Sequence, residues 1–172
     1  MAIDRRRVLL SVAFAGVGAM VLSRLFGGGA PKAAAQSFEV SHSDDEWRRL
    51  LTAEQYYVLR GHGTERPGSS PLNAEKRQGS FVCAGCDLPL FASETKYESG
   101  TGWPSFYAPL ENAVGTQEDY SLFMRRTEVH CRRCGGHLGH VFEDGPKPTG
   151  LRYCMNGVAM KFRPAATAEK AS

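Results

Sequence analysis

Cys83-Ala84-Gly85-Cys86 and Cys131-Arg132-Arg133-Cys134 are the two stretches that decide the fold. Each is a C-x-x-C knuckle, a tight turn that sets two thiolates side by side, and two knuckles can present four thiolates tetrahedrally to Zn²⁺. Gly85 and the Gly135-Gly136 pair suit such turns. Two disulfides, or a redox-active C-x-x-C of the thioredoxin type, are the competing readings, and an oxidising compartment keeps disulfides open. Two redox pairs in one small domain would be redundant, so the doubled knuckle favours a Cys₄ zinc site made by Cys83, Cys86, Cys131 and Cys134. Four thiolates leave no open position on the metal, which makes it structural. Because 44 residues lie between Cys86 and Cys131, much of the domain is looped between the two halves of the staple.

Outward from the knuckles, Gly and Pro punctuate short runs: Ser80–Cys83, Ser121–Arg126, His137–Phe142, Leu151–Cys154 and Val158–Phe162. In the last of these, Val158, Met160 and Phe162 alternate with Ala159 and Lys161, the pattern of a half-buried strand. Ahead of the first knuckle, Ser43-Asp44-Asp45-Glu46 and Thr52-Ala53-Glu54-Gln55 are capping boxes. They predict helices over about Asp44–Leu51 and Ala53–Arg60, with Gly61 as a stop for the second. The expected fold is α+β, mainly antiparallel sheet in two small zinc-stapled sheets, with short N-terminal helices. One domain is expected over 37–164, followed by a disordered tail over 165–172.

Residues 1–36 are a separate segment. Arg5-Arg6-Arg7 precedes an apolar run from Val8 to Leu22, and Ala33-Ala34-Ala35 offers small residues for cleavage. That order is the export-signal pattern, and Asp4-Arg5-Arg6-Arg7-Val8-Leu9-Leu10 resembles the twin-arginine motif. Arg24 keeps the apolar span short for a permanent anchor. A periplasmic domain is expected, released or tethered by an uncleaved N-terminus. The twin-arginine route exports folded protein, which would let zinc be loaded in the reducing cytoplasm. The formal net charge of +3 comes without a basic stripe interleaved with aromatics, which argues against nucleic acid as a partner. No interface pattern is evident, so a monomer is expected.

Five cysteines less four leaves Cys154. A lone cysteine is as often a small core residue as a reactive one. Arg152 and Asn156, two residues either side, would share its face in a strand, and a guanidinium nearby favours the nucleophilic thiolate. These neighbours turn the balance toward catalysis.

Gly102-Trp103-Pro104-Ser105-Phe106, His137-Leu138-Gly139-His140-Val141-Phe142 and Arg152-Tyr153-Cys154-Met155-Asn156 occur in that order around the knuckles, after Glu54-Gln55-Tyr56, Val58-Leu59-Arg60 and Gly63-Thr64-Glu65-Arg66-Pro67. Taken together, these motifs closely resemble the B-type peptide methionine sulfoxide reductases over roughly Trp47–Arg163. The resemblance implies an oxidoreductase that reduces the R epimer of methionine sulfoxide in oxidised proteins or peptides, with Cys154 as nucleophile. Trp103 matches the tryptophan that packs against the substrate methyl group, and Phe142 is a second substrate-binding candidate. His137, His140 and Asn156 match residues that hydrogen-bond or protonate the sulfoxide oxygen, and Arg152 matches a support of the thiolate. Trp103 alone would pass for a core aromatic, and His137 and His140, three apart, cannot face the same way on an ideal strand. Many relatives carry a resolving cysteine where this chain has Thr101. The resemblance therefore implies a one-cysteine enzyme whose sulfenic acid is resolved by an external thiol, either a thioredoxin-like protein or a small thiol.

Overall fold

The computed structural model describes residues 37–121 and 124–166; the expected export segment and residues 167–172 of the tail lie outside them. Helices α1 (Asp44–Leu50) and α2 (Ala53–Leu59) both begin on complete capping boxes. In each, the cap hydroxyl accepts from the third helical amide while that residue's side chain accepts from the cap amide. The left-handed residue that turns the chain away from α2 is His62 (φ 53°), three residues beyond Leu59, rather than Gly61.

Nine strands follow, and every pairing is antiparallel. Strands β1 (Gly79–Cys83), β2 (Pro89–Ala92) and β9 (Met160–Pro164) form a three-stranded sheet in the order β2-β1-β9. The larger sheet contains β3 (Lys96–Tyr97), β4 (Ser105–Phe106), β5 (Val114–Asp119), β6 (Arg126–Cys131), β7 (His137–Phe142) and β8 (Arg152–Met155), in the order β3-β4-β8-β7-β6-β5. This is the expected two-sheet α+β architecture. The core between the elements is aromatic at its centre: Phe91 stacks on Phe106 at 4.3 Å, and Phe81 meets Phe106 edge-on at 4.9 Å. Burial of these three rings contributes a large share of the apolar area removed from water. Val58 and Leu59 of α2 join that core, and Trp47 of α1 is buried beside the knuckles.

Each knuckle is the turn of a hairpin, β1–β2 in one sheet and β6–β7 in the other. A bond across the knuckles therefore staples one sheet to the other. In both turns the residue after the second cysteine is left-handed, Asp87 (φ 57°) and Gly135 (φ 68°). Gly135 is needed there, because a Cβ would lie 2.3 Å from the Phe38 ring. Gly85 is not a left-handed turn residue, and a Cβ on it would make only ordinary contacts at 3.5 Å and beyond.

One short run and one strand expectation differ in the structure. Of the described residues in Ser121–Arg126, only Arg126 is in a strand. Asp119 accepts from the Ser121 amide at 2.8 Å, a local side-chain turn that ends β5. At the other end, Val158 lies in a 3₁₀ turn, Gly157–Ala159, so the alternating pattern begins only at Met160.

Candidate active site and metal centre

The four knuckle thiols converge. Cys83 Sγ is 3.7 Å from Cys134 Sγ, Cys86 Sγ is 3.5 Å from Cys131 Sγ, and all four sulfurs lie within 4.8 Å of one another. A tetrahedral ion with Zn–S bonds of about 2.3 Å separates its sulfurs by about 3.8 Å, so the spacing fits a Cys₄ site with almost no movement. Hydrogen bonding to Cys131 holds the Cys83 and Cys134 thiols up, while accepted hydrogen bonds pull Cys86 and Cys131 down. Four sulfurs packed this closely in a buried setting are a ready donor set for a cation.

Cys154 is a free thiol, half-buried, near the middle of the larger sheet. On β8 it pairs with Ser105 of β4 on one side and His140 of β7 on the other. Directly opposed residues share a face, with Cβ atoms about 5 Å apart. Extending the row, His140 pairs with Glu128 of β6, which pairs with Gln117 of β5. Arg152 and Phe142, an opposed pair two residues away, stand on the same face, and the guanidinium stacks 4.4 Å above the Phe142 ring. Arg152 is fixed by a two-point ion pair with Asp144 at 2.8 and 2.7 Å, which raises its pKa further. On the β4 side, Thr101 Oγ1 lies 3.8 Å from Cys154 Sγ and 2.8 Å from Ser99 Oγ, itself 2.7 Å from Ser105 Oγ.

His137 joins this face against the expectation for an ideal strand. The β6–β7 register runs Val129↔Gly139 and then His130↔His137, so β7 carries one extra residue, Leu138, in a bulge. The extra residue cancels the alternation, and the His137 and His140 rings approach to 5.4 Å. Each histidine is held by a carboxylate. His137 Nδ1 donates to Glu128 Oε1 at 2.6 Å, and His140 Nε2 donates to Asp119 Oδ2 at 2.8 Å. Burial pushes the Glu128 carboxyl up, but hydrogen bonds from His137 and Gln117 outweigh it and bring the pKa to about 2. Asp119 is held well below its usual range, first by the Ser121 amide and then by His140. Burial lowers the His140 pKa, and Asp119 only partly offsets this. The opposite ring nitrogen of His137, Nε2, is buried and has no hydrogen-bond partner among the described residues.

Trp103 and Asn156 are tied together through Glu65. The Trp103 indole donates to the Glu65 carbonyl at 3.1 Å, and the Glu65 amide donates to Asn156 Oδ1 at 3.0 Å. The Glu65 carboxylate accepts from the Gly157 and Val158 amides at 2.6 and 2.9 Å. Asn156 is only 3% exposed, and its amide nitrogen donates to the Leu138 carbonyl at 3.1 Å. Both ends of that amide are occupied, so the row of β8 side chains on the cysteine face ends at Cys154. Asn156 instead anchors the bulge residue and the Glu65 segment. Four residues that hold the candidate site escaped the sequence reading. Glu65 sat inside a quoted motif without a role, Asp144 follows the β7 motif, and Asp119 and Glu128 show only as acids in or beside strands.

A family profile described as the SelR domain matches residues 51–164. The chain is 53% identical over 128 residues to a peptide methionine sulfoxide reductase MsrB of Leptospira interrogans, covering 74% of this chain and 98% of that protein. It is 57% identical over 125 residues to a protein of the same name from Methanosarcina barkeri, covering 72% and 88%. A third, from Pseudomonas putida, is 57% identical over 121 residues, covering 70% and 91%.

Proposed function

The chain belongs to the peptide methionine sulfoxide reductase B family, and we propose that it reduces the R epimer of methionine sulfoxide, free or peptide-bound, through Cys154. The observation that carries this reading is the placement of Cys154 opposite His140 with His137 swung onto the same face by the bulge. The Cys154 thiolate attacks the sulfoxide sulfur while a proton is delivered to the oxygen. The S–O bond of the substrate breaks and the hydroxyl passes to Cys154, giving methionine and a Cys154 sulfenic acid. The oxygen gains negative charge on the way and needs placed donors. His137 is suited to supply the proton from Nε2, which has no partner among the described residues while Glu128 holds the ring through Nδ1. His140, with its lowered pKa, serves as a neutral ring oriented by Asp119.

Trp103, fixed by the Glu65 carbonyl, forms the apolar wall for the substrate methyl group, with Phe142 beneath Arg152 as a second aromatic surface. Arg152 supports the thiolate from the same strand face, and Asn156 acts by holding the bulge and the Trp103 segment in place. The sulfenic acid is resolved from outside. One external thiol condenses with it, releasing water and leaving a mixed disulfide. A second thiol then frees Cys154 and carries the disulfide away. Thr101 beside Cys154 is why no internal partner serves, since the other four sulfurs are in the knuckle cluster. Zn²⁺ bound by Cys83, Cys86, Cys131 and Cys134 supplies a cross-link between the sheets and no reaction chemistry, all its positions being filled. The basic–apolar–small order of residues 5–35 supports export to the periplasm, where oxidised proteins are the substrates and a thioredoxin-like protein or small thiol the reductant.

The test follows each epimer of a dabsylated methionine sulfoxide with full-length protein and dithiothreitol, wild type beside Cys154→Ser. Turnover of the R epimer alone, abolished in the variant, is expected. Equal turnover of both epimers, or a fully active variant, refutes the assignment.

A further inference from the structure

Glu128 is 4% exposed, and among the described residues no Lys or Arg pairs with it. Its charge is met only by two imidazoles, which converge on one oxygen. His137 Nδ1 is 2.6 Å from Oε1 and His62 Nδ1 is 3.0 Å from it. The three donor atoms lie within 4.8 Å of one another, and Gln117 Nε2 holds the second oxygen, Oε2. His62 is placed for this by its left-handed backbone after α2, which turns the ring toward Glu128 and to within 5.3 Å of the His137 ring. A cavity of about 600 Å³ opens beside the cluster, lined also by Gln117, Asp119 and His140.

We propose that His62, Glu128 and His137 form a second metal site, for a divalent transition-metal ion such as Zn²⁺, and that its occupation inhibits the reductase. Two histidines and one carboxylate are a donor set that zinc accepts with its fourth position left to water or substrate. Ligand atoms around such an ion stand about 3.3 Å apart, so the cluster must open by only about half an ångström. The half-exposed His62 ring has freedom to supply that movement, while Gln117 orients the carboxylate from behind. The inhibitory half of the proposal rests on the role given to His137 above. A bound cation takes both His137 Nδ1 and the Glu128 carboxylate, so the ring leaves the position in which Glu128 holds it for the sulfoxide oxygen.

Zinc stoichiometry and single-turnover activity are measured on full-length protein whose Cys₄ site is filled. No reductant is added, because thiols chelate zinc; one methionine per chain is the readout. Wild type is expected to bind a second equivalent and to lose about a hundredfold in single-turnover rate when it does. Cys154→Ser retains the second equivalent. His62→Ala keeps the first equivalent and its R-epimer turnover, but binds no second equivalent and resists added zinc. A single equivalent in wild type overturns the proposal, as does loss of the second equivalent in Cys154→Ser, which would place the ion on the nucleophile. Equal zinc binding or inhibition in His62→Ala also overturns it. Failure of the reductase assignment is separable, since it shows as no turnover before zinc is added, while stoichiometry still reports the site.

Discussion

Replacing Glu128 with Gln keeps the size and one acceptor for His137 but removes the charge. The carboxylate accepts the His137 Nδ1–H at 2.6 Å in a buried setting, and its depressed pKa of about 2 shows that it is ionised wherever the enzyme works. A hydrogen bond with a charged partner contributes about 1.5–3 kcal/mol against about 1 for a neutral one. The loss to the ring that donates the proton is then about 0.5–2 kcal/mol, or roughly 2- to 30-fold in rate. Single-turnover rates for the R epimer, taken across pH 5–9, should fall by that factor at neutral pH. The shape of the pH profile should change as well, because a glutamine amide sets no charge beside the His137 ring. A merely structural Glu128 would leave the profile unchanged. A Gln variant within twofold of wild type, with an unmoved profile and intact zinc content, would refute the assignment of His137 as the proton donor.

Three further outcomes are expected. Stripping the Cys₄ ion with a strong chelator should release one zinc and unfold the domain or lower its thermal midpoint by more than about 10 °C, because structural zinc contributes about as much free energy as a whole domain holds in reserve; a metal-free protein with an unchanged midpoint would show that the knuckles do not depend on it. Glu65→Gln puts a donor against the Gly157 or Val158 amide, and should raise KM about tenfold with a smaller change in kcat and a red-shifted tryptophan emission. Thr101→Cys places a thiol beside Cys154, given the present 3.8 Å contact. Mass spectrometry after one turnover should find a disulfide between the introduced thiol and Cys154, whereas a persistent sulfenic acid would show that the loop holds them apart.

What the sequence made legible was whatever depends on local spacing. The capping boxes at Ser43 and Thr52 start both helices, and the knuckles converge, because a hydroxyl three residues before an acid or amide, and a cysteine three residues before another, need little from the rest of the chain. The face of β7 was not legible. Strict alternation sets His137 and His140 apart, and only a bulge, whose extra residue Leu138 is anchored by Asn156 from β8's far end, brings them together. Bulges are set by a partner strand, so no window on β7 alone reports one. Asn156 was misplaced for the same kind of reason. Its spacing from Cys154 suggests a shared face, yet the strand ends at Met155 and the amide turns to Leu138 and Glu65. Glu65 and Glu128 act through partners 91 and 9 residues away, and no local pattern announces either.

An ion held by the four knuckle cysteines would, from its position relative to these residues, serve the proposed reaction without any chemistry of its own. Strand β6 ends at Cys131, three residues after Glu128, and β7 begins at His137, three residues after Cys134. The knuckle is therefore the turn that sets the β6–β7 register, and the bulge lies within the first ladder steps beyond it. Sliding one strand by a single residue exchanges its two faces. In this hairpin that would carry Glu128 away from His137 and leave His140 without its place opposite Cys154. An ion that fixes Cys131 against Cys134, and both against Cys83 and Cys86 in the other sheet, makes such a slip costly at its source. Such an ion would hold in register the irregular pair of strands that brings the two histidines together, and a tight hairpin turn without metal would leave that register to side-chain packing alone.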